Sequence, residues 1–143
     1  MTTSGTAPGS GDDGGARGDV YSADCPCREL LEVVANKWSA LAIGALAEGT
    51  LRFGELQRRL RGISPKVLTA TLRRLEAFGL VDREVVPAVP LHVEYSLSEA
   101  GRSAVRPVFM LREWAESRYA LARAHADRAG RTDPPQENPR KTI

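Results

Sequence analysis

Residues 62–80 read GISPKVLTATLRRLEAFGL, and they contain the clearest helix start in the chain. Ser64 is a favourable N-cap residue, because its hydroxyl can accept a hydrogen bond from a backbone N–H of the first turn. Pro65 takes the first helical position, where the N–H that proline lacks would have no partner within the helix. The pattern predicts a helix from Pro65 to about Phe78, ended by Gly79.

The predicted helix has two faces of different character. Leucines at helical spacing predict a face buried in a core, and they are Leu68, Leu72 and Leu75. The other face carries small and basic side chains, at Lys66, Thr69, Ala70 and Arg73. A face of this kind can approach a surface closely, as a helix that reads a DNA groove must do.

The flanking sequence predicts a partner helix and a hairpin. A short helix is expected over residues 53–60, and Gly62 provides the turn that follows it. Residues 80–86 and 91–97 are β-prone, and the connection between them contains two prolines. These elements in this order predict a winged helix-turn-helix, in which the hairpin is the wing.

Three further helices are predicted around this motif. The first two cover residues 27–35 and 38–47, and a minimal strand follows at residues 50–52. The last covers residues 99–124, where Pro107 is expected to kink or restart it. The predicted fold class is therefore mainly α with a small β-hairpin wing, dimerised through terminal helices.

The composition sets the expected limits of the folded unit. Residues 1–19 are rich in glycine and are predicted to form a disordered N-terminal tail. Residues 20–126 form the expected winged helix-turn-helix domain with its dimerisation helices, and residues 127–143 a flexible C-terminal tail. No apolar run is long enough for a membrane span, and the first residues do not resemble a signal peptide. We therefore expect a cytoplasmic protein with reduced cysteines and no disulfide scaffold.

The formal net charge of +2 hides a basic segment. Residues 50–83 contain eight basic and three acidic side chains, a net charge of +5. A solvated helix surface would explain the charge alone. The segment coincides with the predicted helix-turn-helix, however, and a positive patch at such a motif favours binding to double-stranded DNA.

The predicted recognition helix supplies most of the expected DNA contacts. Lys66 and Arg73 are predicted to contact bases or phosphates, and Thr69 a base edge or a thymine methyl group. Ser64 is expected to bind a phosphate at the helix N-terminus. Arg74 lies on the flank, where contact with DNA and simple solvation are both open.

Two other elements are expected to contact the DNA backbone. The helix that precedes the turn should supply a phosphate contact from Arg58 or Arg59, whereas Arg52 can instead pair with a neighbouring glutamate. On the wing, Arg83 and His92 are placed to follow the minor groove. A solvated hairpin histidine is the alternative for His92.

A series of short motifs runs in order through the predicted domain. They are Cys25-Pro26, Lys37-Trp38, Leu51-Arg52-Phe53-Gly54-Glu55-Leu56, Gly62-Ile63-Ser64, Lys66-Val67-Leu68-Thr69, Gly79-Leu80-Val81, Val93-Glu94-Tyr95-Ser96-Leu97-Ser98 and Gly101-Arg102. Over about residues 24–117 the chain resembles the HxlR family of bacterial winged-helix regulators. The resemblance implies a homodimeric transcription factor, often a repressor and sometimes an activator, with a MarR-like triangular shape. Asn36 departs from the glycine usual in the family, and Cys27 is additional to its single cysteine.

The last predicted helix carries more apolar surface than a small core needs. Its apolar positions are Ala104, Val105, Val108, Phe109, Leu111, Trp114, Ala115 and Ala122. The excess favours a partner helix, so residues 100–124 and the first helices are assigned to a homodimer interface. A long helix that covers its own domain only is the alternative. Two recognition helices would then read half-sites about 10 base pairs apart in a pseudo-palindromic operator.

Cys25 lies at the start of the first predicted helix, where exposed N–H groups favour the thiolate and Asp24 opposes it. The resemblance implies that a cysteine at this position can sense oxidants or electrophiles. Cys27 could resolve a sulfenic acid on Cys25, although a bridge between residues two apart is expected to be strained. A disulfide between subunits is preferred to it, and two inert thiols are the remaining alternative.

The sequence thus predicts a sequence-specific regulator, most simply a repressor, that is switched by thiol oxidation or by a small ligand. A regulator without a sensor, controlled by its own level, is the alternative within DNA binding. A ligand cavity is expected near Trp38 and Trp114, between the first helices and the dimerisation helix. Two cysteines with only His92 and His125 lack a zinc-site spacing, so no metal or other cofactor is predicted. No catalytic constellation indicates an enzyme. The alternative function is a winged-helix protein-interaction module, which would show no salt-dependent affinity for DNA.

Overall fold

The computed structural model describes residues 17–132 of the chain, with side chains as far as residue 130. Residues 1–16 of the predicted N-terminal tail and residues 133–143 of the predicted C-terminal tail lie outside the described residues. The elements in chain order are α1 (Pro26–Ala35), α2 (Lys37–Leu46), β1 (Leu51–Arg52), α3 (Phe53–Arg59), α4 (Pro65–Ala77), β2 (Val81–Val86), β3 (His92–Leu97), α5 (Glu99–Ser103) and α6 (Val105–Thr132). This is the winged helix-turn-helix that the sequence predicts.

The sheet has three antiparallel strands in the order β1-β3-β2. Strands β2 and β3 form the predicted wing, in which Val81 is opposite Leu97 and Val86 is opposite His92. The minimal strand β1 pairs with the free edge of β3. Since β1 leads directly into α3, this pairing fixes the first helix of the helix-turn-helix against the wing.

The core lies beneath α4, as the leucine spacing predicts. Leu68, Leu72 and Leu75 are each at most 1% exposed. They belong to one apolar cluster with residues from α1, α2, α3, the wing and α6, among them Val33, Ile43, Leu56, Val81, Leu97 and Val108. Burial of one such side chain stabilises the fold by about 1.5–3 kcal/mol, so α4 is held firmly with its other face in solvent.

Side-chain caps fix the starts of helices α2 and α4. The Ser64 hydroxyl accepts a hydrogen bond from the Val67 N–H at 3.2 Å, which confirms the predicted N-cap. Asn36 caps α2 by accepting from the Trp38 N–H at 2.9 Å. After α4 the chain turns at Gly79, whose φ of +70° is a backbone conformation that side chains disfavour.

The last predicted helix consists of two. The short helix α5 ends at Ser103 with Ala104 as its C-cap. Pro107 lies in the first turn of α6, where a backbone N–H would have no partner within the helix. Pro107 therefore restarts the helix. Helix α6 continues to Thr132, beyond the predicted end at residue 124, and Arg123 pairs with Asp127 one turn later at 3.5 Å. Among residues 17–132 no helix is long and apolar enough to cross a membrane.

Candidate nucleic-acid interface

Helix α4 presents a basic face to solvent. Lys66, Ala70 and Arg73 are exposed, as the predicted opposite face requires. Thr69 is half-buried, and its hydroxyl donates to the Pro65 carbonyl at 2.8 Å. Because this hydrogen is used within the helix, the methyl group and the free lone pair of Thr69 remain for a contact with a base.

Helix α3 precedes the turn and adds cations beside α4. Arg58 and Arg59 are both exposed in its last turn. Arg59 is paired with Glu48, from the connection between α2 and β1. At the start of α3 the backbone N–H of Arg52 donates to the Glu55 carboxylate at 3.2 Å, so Glu55 serves as part of a helix cap.

The wing carries Arg83 and His92 in different environments. Arg83 is exposed, opposite Tyr95 of β3. The side chain of His92 is only 18% exposed, and its Nε2 lies 3.1 Å from the Glu94 carboxylate. The structure therefore agrees with neither a free solvated histidine nor an unencumbered DNA contact at His92.

Some of the predicted DNA-binding cations form an ion pair with a carboxylate, and others do not. Arg74 lies 3.9 Å from Glu32 of α1, and both side chains are at least half exposed. Exposed pairs of this kind contribute about 0–1 kcal/mol, so an incoming phosphate can displace them. The other predicted cations form no ion pair with any residue in the described part of the chain, and they are Arg58, Lys66, Arg73 and Arg83.

A crevice separates α4 from the wing, and sequence reasoning did not find it. It has a volume of about 330 Å³ and is lined by Thr69, Leu72, Arg73, Glu76, Arg83 and Tyr95. The alternation along β3 could have indicated that Tyr95 points to one face of the wing. The pairing of Tyr95 with Arg83, however, depends also on the strand register, which follows from the geometry of the proline-containing turn.

The two tryptophans of the predicted ligand cavity do not share a cavity. Trp38 lines a groove of about 440 Å³ between α2 and α4, and the Lys37 ammonium lies 4.5 Å from the centre of its ring. Trp114 is 63% exposed on α6. The groove between α2 and α6 contains neither tryptophan, and it is lined by aliphatic residues such as Leu41 and Leu111 together with Lys37 and Arg112.

The cysteines depart from expectation. Cys25 and Cys27 are joined to each other by a disulfide, with their Cα atoms 5.3 Å apart. The structure thus joins the two cysteines within one chain, whereas the sequence favoured reduced thiols or a bridge between subunits. Gly18 packs against the bridge, since a Cβ at that position would lie 2.7 Å from each sulfur atom.

Helix α6 leaves large apolar side chains in solvent. Met110, Leu111, Trp114 and Leu121 are each 53–63% exposed. At 3.6 residues per turn they fall within a stripe of about 100° on one side of the helix. On α1, Leu30 and Leu31 are also 40% and 54% exposed.

Comparison with known proteins identifies the family. A model of the HxlR-like helix-turn-helix family matches residues 33–122. The HTH-type transcriptional regulator YtfH of Escherichia coli is 41% identical over 99 residues, which are 69% of this chain and 79% of that protein.

Two solved structures share the fold. The transcriptional regulator YtfH of Salmonella typhimurium gives a TM-score of 0.72 at 37% identity, covering 78% of this chain and 99% of that one. The redox regulator HypR in its reduced form gives 0.63 at 38% identity, covering 69% and 98%. The chain therefore belongs to the HxlR family, and it is a transcriptional regulator of the helix-turn-helix type.

Proposed function

We propose that this protein is a sequence-specific repressor that binds a pseudo-palindromic operator as a homodimer. The observation that carries the proposal is the exposed basic face of α4, which is rigidly capped at Ser64 and fixed by three buried leucines. Phosphate contacts from α3 and the wing would set the orientation, while Lys66 and Thr69 would read bases. Occupation of promoter DNA by such a dimer would exclude the polymerase without further contacts.

The second copy of the chain would cover the apolar stripe of α6. Contiguous exposed apolar surface is costly in water, and this stripe lies beside Val108, which is already buried in the chain's own core. Two α4 helices would then face half-sites about 10 base pairs apart. The dimer is tested by light scattering after chromatography. Leu111→Glu should give monomers, whereas Ala120→Glu, on the opposite side of α6, should not.

We further propose that oxidation of Cys25 and Cys27 controls DNA binding. In the reduced chain the two thiols give up two electrons and two protons, which hydrogen peroxide accepts to form two water molecules, and one S–S bond forms within the chain. Two observations support this: the bridge adjoins the start of α1, and the similar protein HypR is described as a redox regulator. Helix α1 contacts α4 through Glu32, and it leaves apolar side chains in solvent that a second copy of the chain would cover.

The test compares binding to DNA from upstream of the protein's own gene with binding to a random duplex, before and after mild peroxide. The whole proposal is supported if the wild type binds this DNA tightly and in a salt-sensitive way, and if peroxide abolishes that binding. The Cys25→Ser variant should bind equally well with and without peroxide. Oxidised wild type should run as a monomer on a non-reducing denaturing gel, whereas a covalent dimer would contradict the intrachain switch. Binding unaffected by peroxide would remove the switch and keep the repressor. Absence of salt-dependent DNA binding would favour the protein-interaction alternative.

A further inference from the structure

The crevice between α4 and the wing brings together two arginines from distant parts of the chain. Arg73 comes from the middle of α4, and Arg83 comes from β2. Both line the same cavity of about 330 Å³, together with the half-buried Tyr95. Such convergence of donors is a feature of anion sites, because guanidinium groups and a phenol offer directed N–H and O–H donors.

Strand pairing explains why the wing side of the crevice is well ordered. Arg83 and Tyr95 are directly opposite in the antiparallel pair, so their side chains stand on the same face of the wing. Tyr95 is also opposite Leu51 of β1, and its ring packs against the core cluster. The phenol is therefore positioned before any ligand arrives, which reduces the entropy that binding costs.

The charges in the crevice are not balanced by the fold itself. Neither Arg73 nor Arg83 forms an ion pair with any residue between 17 and 130, whereas Arg59 and Arg74 are each paired with a glutamate. Glu76 lines the crevice as well, and it lies within ion-pair distance of neither arginine. Two cations and one carboxylate leave one net positive charge facing solvent, which favours a single anion.

We infer that this crevice binds one phosphate of the DNA backbone, clamped by Arg73 and Arg83 with the Tyr95 hydroxyl as a third donor. The inference rests on the proposed DNA binding and deepens it. It assigns Arg73 to a phosphate, which resolves the choice between base and phosphate, and it leaves base reading to Lys66 and Thr69. The bound phosphate bridges α4 and the wing. Glu76 weakens the site by repulsion.

The experiment measures affinity by fluorescence anisotropy over a range of KCl concentrations, on a random duplex and on a duplex enriched from a random library. Each phosphate that is neutralised contributes about 0.9 to the slope of log affinity against log salt. If two arginines hold one phosphate, each of Arg73→Gln and Arg83→Gln lowers the slope by less than that amount per protomer. The double variant then lowers it by about one phosphate and not by two.

Three further variants sharpen the test. Tyr95→Phe, which keeps the ring, should weaken binding several-fold on both duplexes, and Glu76→Gln should strengthen it on both. Arg123→Gln removes a charge from α6, where Arg123 pairs with Asp127, and should leave the slope unchanged. Circular dichroism melting confirms that each variant is folded.

The outcomes separate the clamp from the function. If the double variant lowers the slope of log affinity against log salt by the amount expected for two phosphates per protomer, the arginines bind separate phosphates, and this result overturns the clamp. If Arg73→Gln loses affinity for the enriched duplex only, Arg73 contacts a base, and this result also overturns the clamp. A wild-type protein that binds neither duplex at low salt contradicts the proposed function itself.

Discussion

Gly101→Ala should destabilise the protein, although helix propensity alone predicts the opposite. Gly101 is buried in α5, where the helix meets the chain between α4 and β2. A Cβ at this position would overlap the carbonyl oxygen of Leu80 and lie 3.2 Å from Cδ2 of Leu97. The same carbonyl accepts a hydrogen bond from the Ser98 N–H at 3.1 Å, so the Leu80 carbonyl cannot move away without weakening that bond.

The size of the effect follows from three terms of different sign. Alanine in a helix gains about 0.5–1 kcal/mol over glycine. Overpacking against a backbone that cannot rotate away costs about 1–3 kcal/mol. Weakening the hydrogen bond from Ser98 to Leu80 costs about 0.5–1.5 kcal/mol more. The unfavourable terms outweigh the propensity, and we expect a net loss of about 2 kcal/mol.

The assay is urea unfolding followed by far-ultraviolet circular dichroism, with Gly54→Ala as the matched control. Gly54 also lies in a helix, but a Cβ there would meet nothing within 4 Å. The control should therefore be neutral or gain about 0.5–1 kcal/mol. If Gly101→Ala proves as stable as the wild type, the close packing of α5 on Leu80 is wrong. Because this contact joins the wing to the helices that lead to α6, the DNA-binding surface should also loosen in the variant.

Three further predictions follow from other contacts. Asn36→Ala should cost about 1 kcal/mol in urea unfolding because it removes the cap of α2, whereas Asn36→Gly should cost only a few tenths; equal losses would contradict the cap. Glu48→Gln should change the free energy of unfolding by no more than about 1 kcal/mol while tightening binding to a random duplex, since it releases Arg59; unchanged binding would remove Arg59 from the interface. Leu72→Ala should lower the free energy of unfolding by about 2–5 kcal/mol in the same urea titration. Val67→Ala should lower it much less, because Val67 is 39% exposed, and equal losses would contradict the burial of Leu72.

Most of the fold could be predicted from local patterns. The start of α4 required only Ser64, Pro65 and the leucine spacing, and each of these acts within a turn or two of helix. The pattern of β-prone residues likewise located the wing. The end of α6 was missed because the apolar pattern stops near residue 124, whereas the helix continues through Ala126, Arg128 and Ala129, which favour helix, and through the pair between Arg123 and Asp127.

The missed parts of the candidate site depend on contacts between distant elements. The crevice needs the register that places Tyr95 opposite Arg83, and in a hairpin that register depends on the geometry of the connection, which the two prolines alone did not specify. The position of Trp38 likewise depends on how helices pack, because it lines a groove with α4, whereas Trp114 lies exposed on α6. The disulfide between Cys25 and Cys27 was judged from spacing alone, without the path of the chain around Gly18.

The magnitude of the Glu32–Arg74 contact limits how a thiol switch in α1 can act. A pair this exposed is worth about 0–1 kcal/mol. Breaking or forming it in both protomers would change operator affinity at most about 30-fold. Loss of the second half-site through a disturbed dimer would cost far more, and in the proposed dimer the exposed Leu30 and Leu31 of α1 would contact the partner. We therefore expect peroxide to release operator DNA from Glu32→Gln almost as fully as from the wild type. A variant that no longer responded to peroxide would place the whole switch in the ion pair and refute a route through the dimer.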